Sequence, residues 1–144
     1  MRRKDREMDQ DFACDVIDRS QFGVLACVTP DGKPYAVPLS IARNGDRLFF
    51  HSATAGSKVD YLPDGQEVAL TFVSHVQVPD LFSPEQLAGL LNQPGAASKL
   101  GSKVFTTEFE SACVQGRIYE LTDPAEKLFG LRCICEKFTP EKMA

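Results

Sequence analysis

Apolar positions recur first at helical spacing and then, over most of the chain, at strand spacing. Between about 8 and 20, Phe12, Ala13, Val16 and Ile17 fall at three- and four-residue intervals, which predicts a short helix with one apolar face. Asp9 or Asp11 can cap it. The run Phe22–Thr29 is β-rich and nearly continuously apolar, the pattern of a strand buried on both faces. Pro30-Asp31-Gly32-Lys33 follows. Gly tolerates positive φ, so Asp-Gly between two β-rich runs predicts a hairpin. Tyr35–Ala42 reads as the second strand, Asn44-Gly45 as another tight turn, and Arg47–Ser52 as the third strand. Three strands joined by two tight turns predict an antiparallel meander.

Ala55-Gly56-Ser57-Lys58 opens a short helix through Val59 and Leu62, stopped by Pro63. Asp64-Gly65 turns the chain into a fourth strand, Glu67–Ser74. Ser83-Pro84-Glu85 is a helix start, with serine at the cap and proline at the first helical position. Leu87, Leu90 and Leu91 give that helix its face, and Asn92-Gln93-Pro94-Gly95 ends it. Ala96–Lys103 is small and polar and reads as a loop or flap. A fifth strand runs from about Glu110 to Leu121, with Gly116 expected at a bulge or a close approach. Thr122-Asp123-Pro124 caps a last helix, with Leu128, Leu131 and Ile134 on its expected apolar face. The fold class is therefore mainly β with peripheral helices. Closure manages sheet edges best, so a small antiparallel barrel is expected, as a single domain over residues 1–144.

Composition narrows the function. Hydrophobic residues are 43% and charged residues 25% of the 144-residue chain, an ordinary globular profile that excludes disorder. The formal charge of −4 argues against a nucleic-acid partner, because phosphates are neutralised by clustered cations. The basic cluster Arg2, Arg3, Lys4, Arg6 is interleaved with Asp5 and Glu7 and reads first as a solvated tail. No apolar run approaches the ~20 residues that span a bilayer, and the amino end has no apolar core of a secretory signal. The five cysteines, an odd number with no C-x-x-C pair, predict reduced thiols and a cytoplasmic protein. His51, His75 and a cysteine lack any ligand pair at zinc spacing, and no G-x-S-x-G nucleophile elbow occurs.

The most informative stretch is His51-Ser52-Ala53-Thr54-Ala55-Gly56-Ser57-Lys58, where a strand ends and a helix begins. A helix amino terminus offers free N–H groups and positive dipole, so anions bind there. Ser52, Thr54 and Ser57 add hydroxyls, Lys58 a full charge, and Gly56 close backbone approach. Together these suit a phosphate. A strand–helix turn with a surface lysine has the same pattern. His51 suits either a ligand contact with proton donation or a structural place at a strand end.

Phe22-Gly23-Val24-Leu25, then Asp31-Gly32-x-Pro34-Tyr35-x-Val37-Pro38, and then Leu48-Phe49-Phe50-His51-Ser52-Ala53-x-x-Gly56-x-Lys58, resemble the flavin mononucleotide (FMN)-binding split barrels related to pyridoxamine 5′-phosphate oxidase. The opening Met1–Glu7 and the run Phe105–Ser111 are similar to the nitroimidazole-resistance branch. The likeness covers about 1–74 and 105–140. It implies that the strand from Ala36 to Ile41 lies along the isoalloxazine ring, with Pro38 in that stretch and main-chain groups of Val37, Leu39 and Ser40 meeting the ring's polar edge. It places His51 and Ser52 near the ribityl phosphate, and Ser57 and Lys58 on the phosphate itself. Ser111 matches a position where relatives reach the flavin with glutamine. It implies a homodimer with flavins at the interface. Two departures stand out. Residues 75–104 form a helix-containing insertion, and the chain stops before the usual last barrel strand, so that the insertion compensates, a partner supplies the edge, or flavin binding is weakened.

The function expected from this resemblance is an FMN-dependent oxidoreductase acting on a small organic substrate, a nitroaromatic among them, with His51 as the catalytic candidate. The cofactor supplies the electron chemistry, so no dense catalytic cluster is required. A non-enzymatic flavin or haem binder, or a degenerate barrel without cofactor, are the competing classes.

Overall fold

Asp9 starts the first helix, α1 (Gln10–Arg19), by accepting the Phe12 N–H on its carboxylate at 2.9 Å. In this computed structural model, residues 4–53, 60–78, 82–95 and 107–142 are described. They contain six strands: β1 (Gly23–Val28), β2 (Pro34–Leu39), β3 (Ala42–Asn44), β4 (Arg47–Phe49), β5 (Glu67–Gln77) and β6 (Glu108–Arg117). Two longer helices follow α1 in the chain, α2 (Pro84–Leu91) and α3 (Pro124–Phe138). The chain divides into two compact units, one of Met1–Ser74 with Ser111–Ala144, the other His75–Glu110.

In the first unit the strands form a four-stranded sheet in the order β2-β1-β5-β6 and a separate β3-β4 hairpin. β1 is antiparallel to β2, with Leu25 opposite Val37, and to β5, with Leu25 opposite Leu70. The Ile118 N–H donates to the Gln66 carbonyl, Arg117 pairs with Glu67, and Thr71 touches Cys113. These partners run in opposite chain directions, so β5 and β6 are antiparallel too. The expected second strand, Tyr35–Ala42, is in fact two. Its chain leaves the sheet at Ser40-Ile41 and starts the β3-β4 hairpin around the Asn44-Gly45 turn, where Gly45 has φ +61°. The third strand ends at Phe49, short of the expected Ser52.

One face of the sheet is core. Leu25, Phe72 and Ile41 are fully buried with Val16 of α1, and Leu39, Val68, Leu70 and Ala112 pack with them. Each such Val, Leu, Ile or Phe side chain contributes roughly 1.5–3 kcal/mol. Ser20, also fully buried, donates its hydroxyl to the Val16 carbonyl at 2.6 Å and the Val73 carbonyl at 3.1 Å, tying α1 to β5. Residues of the other face are half-exposed or exposed. The expectation that the first strand is buried on both sides is corrected: Gly23 and Leu25 are buried, whereas Val24 and Ala26 are half-exposed and Val28 exposed. β5 alternates in the same way, with Val68, Leu70, Phe72 and Ser74 inside and Ala69, Thr71 and Val73 outside.

The last helix also turns differently from its pattern. Gly130, Cys133 and Ile134 are buried, with Cys133 and Ile134 packing on Ala42 and Phe49, while Leu128 and Leu131 point to solvent. Gly130 lets the Phe49 ring close on the helix: a Cβ there would lie 2.9 Å from that ring. Gly116, expected at a bulge or close approach, lies in β6, and a Cβ there would meet nothing within 4 Å. In the second unit, Ser83 and Gln86 form a reciprocal capping box at the start of α2. Leu90 is half-buried and Leu91 exposed, and the Leu87 side chain lies outside the described part. The helix expected at 55–62 lies mostly outside the described residues.

Candidate functional site

The β1-β2 hairpin fixes which backbone groups of β2 are free. The Gly32 N–H donates to the Thr29 carbonyl and the Thr29 N–H to the Lys33 carbonyl, both at 2.8 Å. Gly32 takes φ +82°, which only glycine adopts without strain. The Thr29 hydroxyl accepts the Lys33 N–H at 3.0 Å, and Lys33 pairs with Asp31. The Lys33 and Thr29 bonds hold the Asp31 carboxyl below its ordinary range. Thr29 and Lys33 are thus a hydrogen-bonded pair. Such pairs alternate along an antiparallel ladder. In this register Cys27–Tyr35, Leu25–Val37 and Gly23–Leu39 exchange ladder bonds, and Val28–Pro34, Ala26–Ala36 and Val24–Pro38 do not. The two prolines confirm the phase, since neither has an N–H to give β1.

β2 is the end strand of its sheet, so Pro34, Ala36 and Pro38 direct their main-chain groups away from all described strands. Toward that edge the β2 backbone directs three carbonyls and one N–H, that of Ala36. The main chains of Val37 and Leu39, expected to face a ligand, are committed to β1, and both side chains lie on the core side, with Leu39 buried and Val37 packed against the core. Pro38 and Ser40 are exposed. The signal for this edge stands in the sequence: two prolines four residues apart in a strand mark a free edge, and the residue midway between them keeps its donor.

Beyond β2, Ser40 leads into β3 and His51 leads out of β4. Both leave the hairpin at its open end, past the terminal pair Ala42–Phe49. His51 and Ser52 are exposed, and the Ser52 hydroxyl donates to the Ala53 carbonyl at 2.9 Å. Ser57 and Lys58 lie outside the described residues. Ser111 is exposed on β6, at the opposite edge of the sheet. Three strand spacings, about 14 Å along the sheet, separate it from β2. The structure therefore gathers Pro38, Ser40, His51 and Ser52 at one end of the fold and leaves Ser111 apart from them.

Other charged clusters in the first unit hold structure. A cleft of about 240 Å³ between α1, β3 and α3 is lined by Asp18, Arg43, Cys133 and Lys137. Arg43 bonds Asp18 through two guanidinium nitrogens, which holds its own proton more tightly still. Lys137 donates to the Ile17 and Ile41 carbonyls, and burial pulls its pKa down. On the outer sheet face a shallow groove of about 630 Å³ is lined by Ala26, Val28, Ala69, Gln115 and Arg117. Burial raises the Cys27 thiol, which donates to the Tyr61 carbonyl at 3.8 Å. All five cysteines are free, and among the described residues no group of three metal-ligating side chains occurs. No described helix is long and apolar enough to cross a membrane.

The antiparallel strand order, with helices at the periphery, is that of the split-barrel class. A family model described as pyridoxamine 5′-phosphate oxidase matches residues 10–127, and the chain belongs to that family. Among solved structures, a candidate 5-nitroimidazole antibiotic resistance protein from Bacteroides thetaiotaomicron is similar, with TM-score 0.68 and 20% identity, over 92% of this chain and 68% of its own. The flavocytochrome Anf3 from Azotobacter vinelandii matches at 0.66 and 22%, over 94% of this chain and 54% of its own. An FAD- and haem-binding protein from Mycobacterium smegmatis matches at 0.66 and 22%, over 95% of this chain and 57% of its own. The chain thus spans little more than half the length of the latter two. No curated protein matches it.

Proposed function

We propose that this protein binds FMN and serves as an oxidoreductase for a small organic molecule, with nitroaromatics as the favoured substrate class. The observation that carries the reading is the free edge of β2 running into Ser40, with His51 and Ser52 emerging at the same open end of the β3-β4 hairpin. That edge offers one main-chain donor and three acceptors to a planar ring, and the exposed serine hydroxyls and imidazole offer polar contacts beyond it. Ser57 and Lys58 follow in sequence as the phosphate-binding pair. The donor set fits a flavin: neutral main-chain groups for the ring, hydroxyls and a cation for the phosphate. Bound there, the flavin would supply the electron transfer. The protein's part is to orient the ring and to hold a proton at the His51 imidazole for an anionic product. The likeness to a nitroimidazole-resistance protein favours the nitroaromatic class, and the free thiols favour a reducing, cytoplasmic setting.

The same reading includes a homodimer. The outer face of the sheet carries Val24, Ala26, Ala36, Ala69, Thr71 and Val73, with the Arg117–Glu67 ion pair at the start of β5. A second copy laid on that face removes the patch from water and can bring its own Ser111 toward the first copy's β2.

The test is an absorbance spectrum of the purified protein, then fluorescence-quenching titration of the apoprotein with FMN, FAD and haemin. Turnover of a nitro compound with a reduced pyridine nucleotide follows. FMN binding at micromolar or better affinity with turnover is expected. Binding without turnover would make the protein a carrier, and no FMN binding would overturn the reading.

A further inference from the structure

We propose that Cys133 and Lys137 form a peroxide-responsive pair: once a peroxide oxidises the Cys133 sulfur, the Lys137 amine captures it as a sulfur–nitrogen cross-link within one turn of α3. The proposal does not depend on flavin binding.

Both side chains line the cleft of about 240 Å³ between α1, β3 and α3. That volume admits several molecules the size of water, and hydrogen peroxide is little larger. Cys133 is buried, with 7% of its surface exposed, and is in no disulfide. Lys137 stands four residues on, so its Cβ lies about 5–6 Å from that of Cys133 on the same helix face. Helical side chains lean toward the amino end, which carries the lysine stem back over the turn that holds Cys133. The two side chains converge at the start of β3. Cys133 packs on Ala42, and the Lys137 Nζ donates to the carbonyl of the preceding residue, Ile41, at 2.9 Å. Burial pulls the lysine toward the neutral amine, the form that bears the attacking lone pair. Cys135 is two residues on, points away from Cys133 on the helix and does not compete.

The sulfur first attacks hydrogen peroxide. An S–O bond forms, the O–O bond breaks and one oxygen leaves as water, so the sulfur loses two electrons and the peroxide gains them. The amine then attacks the sulfur. An S–N bond forms, the S–O bond breaks, and the hydroxyl leaves as water with a proton from the amine. The nitrogen keeps one N–H, where it had served two carbonyls, those of Ile17 and Ile41. Oxidation therefore releases one end of the tie that joins α3 to α1 and to the link into β3, and a thiol that reduces the cross-link restores it.

Hydrogen peroxide treatment of the full chain, followed by non-reducing tryptic mass mapping, tests it. Trypsin cuts after Arg132, Lys137 and Lys142 in the untreated protein. The cross-linked protein should resist cutting at Lys137 and yield residues 133–142 as one peptide, lighter by about 2 Da for the two hydrogens lost. Dithiothreitol should restore both mass and cleavage. A disulfide from Cys133 to another cysteine, a lasting gain of oxygen at Cys133, or an unaltered Cys133 each overturns the proposal. A second arm uses Lys137→Arg, which keeps a cation and its donors but has no amine to condense. Dimedone traps sulfenic acids and should label Cys133 in this variant but not in the parent. Equal labelling of the two also overturns it.

Discussion

Lys137 holds Ile41 in place from the far end of the chain. Its Nζ donates to the Ile41 carbonyl at 2.9 Å, where the chain crosses from β2 to β3, and to the Ile17 carbonyl at 2.8 Å in the last turn of α1. A cation at a helix carboxyl end also meets the negative end of the dipole. One side chain thus joins α3 to α1 and to the link that positions Ser40.

Replacing it should loosen that link. Lys137→Met keeps the packing of the stem but strands two carbonyls, which should cost about 2 kcal/mol. Urea unfolding of parent and variant measures it. The pH dependence has a definite sign. Burial lowers the folded pKa below the ordinary 10.5, so between the two values the unfolded chain binds more protons. The lysine's contribution therefore improves as pH rises through that window, and the neutral amine still has two N–H groups for the two carbonyls. The parent's stability should rise relative to Lys137→Met just below pH 10.5. A parallel pair of curves would show that the ammonium is not desolvated.

The α3 face shows what a sequence pattern can and cannot reveal. Leu128, Leu131 and Ile134 lie at three-residue spacing and read as one apolar stripe. Helix periodicity fixes which residues share a face, but not which face meets the core when two are apolar. Gly130 decided it, because its missing Cβ lets the Phe49 ring close on the Cys133–Ile134 side. Leu128→Glu should then stay within about 0.5 kcal/mol of the parent, while Ile134→Ala should cost about 2–4 kcal/mol. Thermal melts of the two variants separate these outcomes.

Helix glycines make a second contrast. Gly89 in α2 and Gly130 in α3 are both interior, where alanine normally gains about 0.8–1 kcal/mol. Gly89→Ala should stabilise α2, since nothing lies within 4 Å of the new methyl. Gly130→Ala should destabilise by about 1–3 kcal/mol despite its propensity, because the methyl lands 2.9 Å from the Phe49 ring. Amide exchange in α2 reads the first, and a denaturant midpoint reads the second.

Turns and caps were legible because they depend on local chemistry; strand order was not, since the meander expected of the first three strands is split into the β1-β2 pair and a separate β3-β4 hairpin. Asp9, Ser83 and Asp123 cap the helices as their positions suggest, and Gly32 and Gly45 take the positive φ of the two turns. The break at Ser40-Ile41 was not legible, since Tyr35–Ala42 alternates without interruption and only the pull of Lys137 and the α3 contact divide it. For the site, residue types single out Ala36–Ser40 and His51–Lys58, but ladder phase is not written in residue types. Counting outward from Thr29–Lys33 turns the main-chain groups of Val37 and Leu39 toward β1 and those of Ala36 and Pro38 toward the other edge.

Lys58 carries the remaining prediction. It lies outside the described residues, and its role rests on the Gly56-Ser57-Lys58 sequence that follows His51 and Ser52. If this stretch grips a flavin phosphate, Lys58 is the only cation in the motif. The phosphate is close to a dianion at neutral pH, so Lys58→Ala should cost about 2–3 kcal/mol of binding, roughly a 30- to 150-fold weaker FMN affinity. Riboflavin has no phosphate and should bind parent and variant equally. Fluorescence-quenching titration with both flavins separates the ring contact from the phosphate contact, because loss at Lys58 should weaken only FMN. Equal FMN affinity in parent and Lys58→Ala would remove the phosphate from this motif and leave the contact at β2 to be judged alone.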